Sequence, residues 1–392
     1  MAIIRFQALL RVLLLSCFSL LLASCGVLDY FSRDDGAAEP SELVDFEPEV
    51  ELRRLWSTNV GDGQGDKFNR LKPVLSAEHI FVAAYNGEVN ALTREDGDRV
   101  WRQRLRLPLS GGVGYSNGLV LVGTENSQVI ALDAETGDIR WEAEVSSEVL
   151  ATPVGNGRVV VVQTVDGKLL GLDAESGNRL WVYENVVPAL SLRGTSSPLI
   201  VDNFVIAAFG NGTVVSVALD NGTLRWDERV SIPTGRSEID RLVDIDGDLI
   251  LSDNRQVLVT GYQGYVAAID VVTGQTRWRV DESSFVGAGS GFGNVYVVTE
   301  EDVLRAYRPG QNNTVWENDQ LRLRRLTAPQ SFSNYVAVGD FAGYVHLLAQ
   351  SDGRMLARAR ADRRGIQGRL VSRGNTLYVY GNSGKLVAFQ IQ

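Results

Sequence analysis

Cysteine is nearly missing from this chain: of 392 residues only Cys17 and Cys25 are cysteine, and none follows position 25. A disulfide framework, a Cys-x-x-Cys redox pair and a thiolate zinc site are thereby excluded from everything downstream. Histidine is as scarce, and His79 and His346 are each isolated on a strand-like run. That excludes a multi-histidine metal centre and leaves a Ser-His-Asp triad to accident, so both read as structural. Positive charge is in deficit, since 48 acidic residues against 38 lysines and arginines give −10. The basic face that neutralises nucleic-acid phosphates is lacking. No Gly-rich phosphate loop opens a helix, and no helix-length apolar periodicity occurs. The longest apolar run, residues 12–23, is too short to span a bilayer comfortably.

That run has a different meaning. Arg5 and Arg11 precede it, as in a secretory signal, and Leu22-Ala23-Ser24-Cys25 resembles a bacterial lipobox, whose cysteine receives a diacylglycerol. An ordinary cleaved signal with an incidental cysteine is the alternative. Residues 1–24 are then a lipoprotein signal peptide and Cys25 is the lipidation site. Gly26, where an Asp would signal inner-membrane retention, resembles the sorting rule for the periplasmic face of the outer membrane in a Gram-negative bacterium. Residues 25–50 are acidic and poor in apolar periodicity, which predicts a flexible tether before a folded body at 51–392.

The body is a repeat. Its seven tryptophans, Trp56, Trp101, Trp141, Trp181, Trp226, Trp278 and Trp316, recur at intervals of 38 to 52 residues. Six close a motif such as LDAETGDIRW or LDAESGNRLW, and a seventh copy, LLAQSDGRMLA, carries Ala357 where Trp is expected. Upstream of each lies a tight turn feeding an alternating strand, as in YNGEVNAL and VDGKLLGL, where Asn-Gly or Asp-Gly supplies the positive φ of a two-residue hairpin. Further upstream come Val- and Ile-rich runs such as GRVVVVQT. About 40 residues holding four short strands make one β-propeller blade. The fold class is therefore all-β, with Asp, Thr/Ser and Gly shaping each turn and Trp wedged between blades as a docking residue, its N–H reaching the neighbouring sheet.

Eight hairpins face seven downstream Trp-type strands. The last hairpin strand, KLVAFQIQ, has no partner after it, whereas RRLWSTNV, carrying Trp56, has no blade before it. Pairing them closes a ring of eight four-stranded antiparallel blades and removes two sheet edges. Seven blades is the fallback, because the copies ending at Trp316 and Ala357 are degenerate.

This repeat is shared with quinoprotein dehydrogenases, so a periplasmic pyrroloquinoline-quinone-dependent dehydrogenase is the alternative function. The resemblance covers only the structural tryptophans. The adjacent-cysteine disulfide and the cofactor-site blocks have no clear counterpart, and DIDGDLILSDN at 244–254 lacks the closing Glu of a calcium loop, Arg255 following instead. No catalytic residue, cofactor or metal site is expected. The arginines 322, 324, 325, 354, 358, 360, 363 and 364 read as a solvated rim, with an anion site as the alternative.

A lipobox, a tether and eight quinoprotein-like repeats without cofactor apparatus resemble the BamB family of outer-membrane assembly lipoproteins, over essentially the whole chain. The resemblance implies a non-catalytic scaffold of the β-barrel assembly machinery that binds the periplasmic polypeptide-transport-associated domains of BamA and helps insert outer-membrane β-barrels. Nascent outer-membrane proteins, pairing with exposed blade edges, are a further expected partner; nucleic acid is not. Two stretches resemble the family's binding loops, VPALSLRGTSSP and SEIDRLVDIDGD. Carried over, they make Leu190, Leu192, Arg193, Asp244 and Asp246 the expected partner-binding residues. Both stretches also fall in the two long Trp-to-Trp intervals, where extra chain must project as loops. The alternative is that the leucines are ordinary core and Arg241 pairs with Asp244 or Asp246 internally.

Overall fold

The computed structural model describes residues 39–65, 69–188, 195–232, 236, 242–252 and 254–392. The described strands form eight four-stranded antiparallel sheets, each built from consecutive strands except the last. Blades one to seven span 74–104, 109–144, 154–184, 199–229, 250–281, 289–318 and 330–360. Blade eight takes three strands from 371–391 and its outermost strand from Leu52–Asn59, which pairs with Lys385–Ile391 so that Leu52 faces Ile391. Eight blades and closure between the first and last strands are as the sequence predicts.

Neighbouring blades cover both faces of the second and third strands, so these run almost wholly buried, as in Val159–Gln163. The outer strands do the opposite. Arg99–Arg104, Ile139–Glu144 and Arg179–Glu184 each bury only the tryptophan fully. Each Trp enters the core shared with the next blade, Trp101 packing with Val120 and Leu132 and Trp141 with Val160 and Leu172. Its indole N–H donates to a backbone carbonyl across the gap: Trp101 to Ala134 and Trp141 to Ala174 at 2.8 Å, Trp181 to Leu219 at 2.9 Å, Trp226 to Val271 at 3.0 Å. Trp278 reaches Gln311, Trp316 reaches Gln350, and Trp56, at 3.3 Å, reaches Arg94.

The receiving turn is shaped as its sequence predicts. Asp133 Oδ1 accepts the N–H groups of Glu135 and Thr136, each at 2.9 Å, and Gly137 takes φ +78. A Cβ on Gly137 would lie 2.6 Å from the Trp101 ring, so glycine serves both the turn and the indole above it. The hairpins differ from expectation in length. Ala84 N–H bonds Glu88 O and Gly87 N–H bonds Ala84 O, leaving three loop residues with Gly87 left-handed at φ +90. That is a type I turn with a glycine bulge, not a two-residue turn.

Blade seven explains its own missing tryptophan. Ala357 occupies the Trp position, opposite Leu347 and just before the bulge that every blade shares. Blade eight, however, is made from the two ends of the chain and has no turn between its third and fourth strands. The turn whose carbonyl accepts the indole in the other blades is therefore missing from this one.

Two expectations need correction here. The compact unit begins at Ser41, not 51, so residues 41–50 are not flexible tether. They lie along the outer strand of blade seven: Ser41 N–H bonds Arg322 O, Glu49 N–H bonds Leu356 O, and Leu43 and Phe46 pack on a core containing Trp316 and Met355. Three of the arginines read as a solvated rim hold this strap. Arg354 pairs with both oxygens of Glu49 at 2.9 Å, Arg358 donates to Val44 O and covers the Phe46 ring, and Arg324 donates to Ser41 O. Behind them Asp340, fully buried, accepts from Arg324 and from His346 at 3.0 Å, and His346 Nδ1 accepts from Arg358. His346 is structural, as read.

Candidate functional site

In an antiparallel blade the turn between the second and third strands lies at the same end as the connections to the neighbouring blades. This loop end carries both interruptions of the repeat. Leu190, Leu192, Arg193, the signal peptide at 1–24 and Cys25 lie outside the described residues. The flanks of the first stretch are described. Val186, Val187 and Thr195 line one small cavity with Asp244 and Ile245, and Thr195 and Ser197 line another with Asp246 and Asp248. The two stretches singled out in sequence therefore converge, from the connections before blades four and five.

Asp244 and Asp246 are inward-facing. Asp244 is 2% exposed; its Oδ1 accepts Ile245 N–H at 2.8 Å, and its carbonyl accepts Tyr262 N–H at 2.8 Å. Asp246 is 9% exposed, and burial raises its carboxyl above the ordinary range against the pull of Arg70. Arg70 donates to Asp246 O and to Phe285 O, both at 3.2 Å, anchoring the second stretch to the connection entering blade one.

Two residues further, Lys72 of that connection forms an ion pair with Asp248. Blades one and five stand opposite each other in a ring of eight, so this pair crosses the axis. Burial opposes ionisation of Asp248, but Lys72 and Arg369 outweigh it and hold the carboxyl well below its usual range. Arg369 also donates to Ala288 O at 2.9 Å and Pro329 O at 3.2 Å, tying in blades six and seven. What remains beside these groups is a cavity of about 60 Å³, room for a water or two. A quinone cofactor would have to displace the ion pair, so the residues at the axis do not fit one. Among the described residues no cluster of His, Cys, Asp or Glu could hold a metal. Arg70, Lys72 and Arg369 carry no mark in the sequence, because each stands in a connection where the repeats do not align.

Beside the axis, between the connections into blades five to eight, lies a larger cavity of about 640 Å³ with apolar walls from Phe285, Val286, Leu326, Phe341 and Ile366. It too was invisible to repeat analysis, since its walls come from separate connections.

The family described as outer membrane protein assembly factor BamB matches residues 85–318. The chain belongs to the BamB family. The BamB of Pseudomonas aeruginosa is 54% identical over 374 residues, covering 95% of this chain and 98% of that one. The BamB of Escherichia coli K12 is 34% identical over 93% of this chain and 94% of its own. Among solved structures, BamB from Moraxella catarrhalis aligns with a TM-score of 0.79 at 29% identity, over 87% of this chain and all of that one. A europium-containing methanol dehydrogenase aligns with a TM-score of 0.70 at 14% identity, over 86% of this chain and 93% of its own. That likeness is one of fold alone. BamB relatives and the dehydrogenase share the ring of blades, and in this chain the axis is filled by its own charged side chains.

Proposed function

We propose that the chain is a non-catalytic scaffold lipoprotein of the β-barrel assembly machinery, held by lipid on Cys25 at the periplasmic face of the outer membrane. It binds the periplasmic polypeptide-transport-associated domains of BamA and assists assembly and insertion of outer-membrane β-barrels. The observation that carries this reading is 54% identity to an outer membrane protein assembly factor along nearly the whole length of both chains. Leu190, Leu192 and Arg193 supply the contact, two apolar anchors beside a hydrogen-bonding cation, a composition common at interface hot spots. Asp244 and Asp246 shape the base on which that contact stands, consistent with their burial and with the shared cavities at the flanks of both stretches.

The test is Arg193→Glu in the full lipoprotein, followed by co-purification with BamA from detergent-solubilised envelope. Recovery of BamA is expected to fall at least about tenfold, the loss of one charged hot-spot contact, with the thermal melt of the propeller unchanged. Undiminished recovery would remove this loop from the interface.

A further inference from the structure

We propose that the larger cavity at the loop end is a peptide-binding site, taking an extended segment that inserts one large apolar side chain. Its volume of about 640 Å³ lies in the range of ligand sites, and its walls are apolar, with Phe285 stacked on Tyr262 at 4.5 Å and Phe341 lying against the Arg324 guanidinium. A pocket of that size, open at the surface, suits an aromatic or long aliphatic residue.

The polar groups around it narrow the ligand further. Three of its lining side chains hold a buried acceptor without a hydrogen-bond partner: Asp246 Oδ1, Gln367 Oε1 and Asn382 Oδ1. Asn382 cannot satisfy its oxygen by flipping without losing the bond from its Nδ2 to Arg364 O at 3.0 Å. All three oxygens are closed off from solvent, so the polar groups that can meet a ligand are others. Donors are on hand. Arg325 and Arg364 line the rim, and neither guanidinium makes a hydrogen bond or ion pair among the described residues. The nearby carboxylate of Asp302 is committed, accepting the backbone N–H groups of Arg325 and Leu326 at 2.6 and 2.8 Å.

Guanidinium donors at the rim of an apolar floor match a polypeptide backbone, which offers C=O groups alongside each side chain. Glu300, also lining the cavity, disfavours a simple anion such as a fatty acid. Strands destined for a membrane β-barrel fit this description, because large apolar side chains alternate with polar ones along them. The choice of client rests on the assembly reading above; the chemistry of the site does not. Asp246 joins the two sites, being at once in the second partner stretch and in the cavity wall.

The test uses the full chain in detergent and a fluorescein-labelled peptide of alternating threonine and valine with a central phenylalanine. Saturable binding is expected by anisotropy, weakened at least about tenfold, or about 1.4 kcal/mol, when serine replaces the phenylalanine or when the chain carries Arg325→Ala with Arg364→Ala. Both arginines are exposed and neither guanidinium makes a hydrogen bond or ion pair among the described residues, so the double variant keeps its fold. A photo-crosslinker at the central position is expected to mark the segments around Phe285, Phe341 or Ile366. Co-purification of BamA by the double variant stays at the wild-type level, so a failure here is distinguishable from a failure of the Arg193 interface. No binding, an affinity indifferent to both changes, or crosslinks confined to the outer blade strands would each overturn the site. The first would leave a cavity that holds water alone.

Discussion

At the scale of residues, one glycine and one tryptophan recur at the seven junctions that carry an indole. The indole donates its N–H to a carbonyl of the next blade while its ring rests on the left-handed glycine of the same turn. Gly310 is the exception, since a Cβ there meets nothing within 4 Å, whereas one on Gly137 lies 2.6 Å from the Trp101 ring. Both adopt positive φ, so alanine at either pays the left-handed penalty of roughly 1–2 kcal/mol. Gly137→Ala alone must also displace an indole. It is therefore expected to lower the denaturation midpoint clearly more than Gly310→Ala, and equal shifts in urea titrations would contradict this account of the junction. The turn chemistry was legible from LDAETGDIRW itself, because capping and positive φ are local demands. The degenerate copy AYRPGQNNTVW is where the junction differs, at Gly310.

At the scale of elements, the strap at 41–50 is the feature least visible in the sequence. It has no repeat, its acidic residues resemble a linker, and its partners Arg324, Arg354 and Arg358 lie far along the chain. Only the clustering of arginines hinted that something acidic had to be near. The clasp is sensitive to protonation. Burial lowers the pKa of His346, against the pull of Asp340 and with Arg358 and Arg324 adding to the effect, so the ring is neutral when folded. A depressed histidine contributes stability above its unfolded value near 6.5, and that contribution is lost as pH falls below it. Protonation would set a cation against the Arg358 nitrogen that now donates to Nδ1. Asp340, held low by His346 and Arg324 despite burial, adds a further loss in stronger acid. Amide exchange of residues 41–50, corrected for its intrinsic pH dependence, is expected to speed up between pH 7.5 and 5.5. In His346→Gln this rise should largely vanish; an identical rise in the variant would separate the strap from the histidine.

At the scale of the whole molecule, the ring is fastened in two ways. Seven junctions use the indole, and the junction between blades seven and eight uses Ala357, the strap and the strand Leu52–Asn59. Restoring the repeat consensus with Ala357→Trp is thus expected to destabilise the protein, by 1–3 kcal/mol of overpacking, because Ala357 is 2% exposed and no turn waits to accept the N–H. A raised melting temperature would refute that explanation of the missing tryptophan. The number of blades and their closure could be read from the sequence because the hairpins and Trp strands can be counted. The cavities at the loop end could not, because their walls come from separate connections that obey no repeat. Closure also sets an order of events during synthesis. The strand at 52–59 is made first and finds its partner only when Lys385–Ile391 has been made. Until then the growing chain carries an unpaired edge at each end, exposed to the association that open edges invite. Ring closure therefore cannot precede the synthesis of Lys385–Ile391.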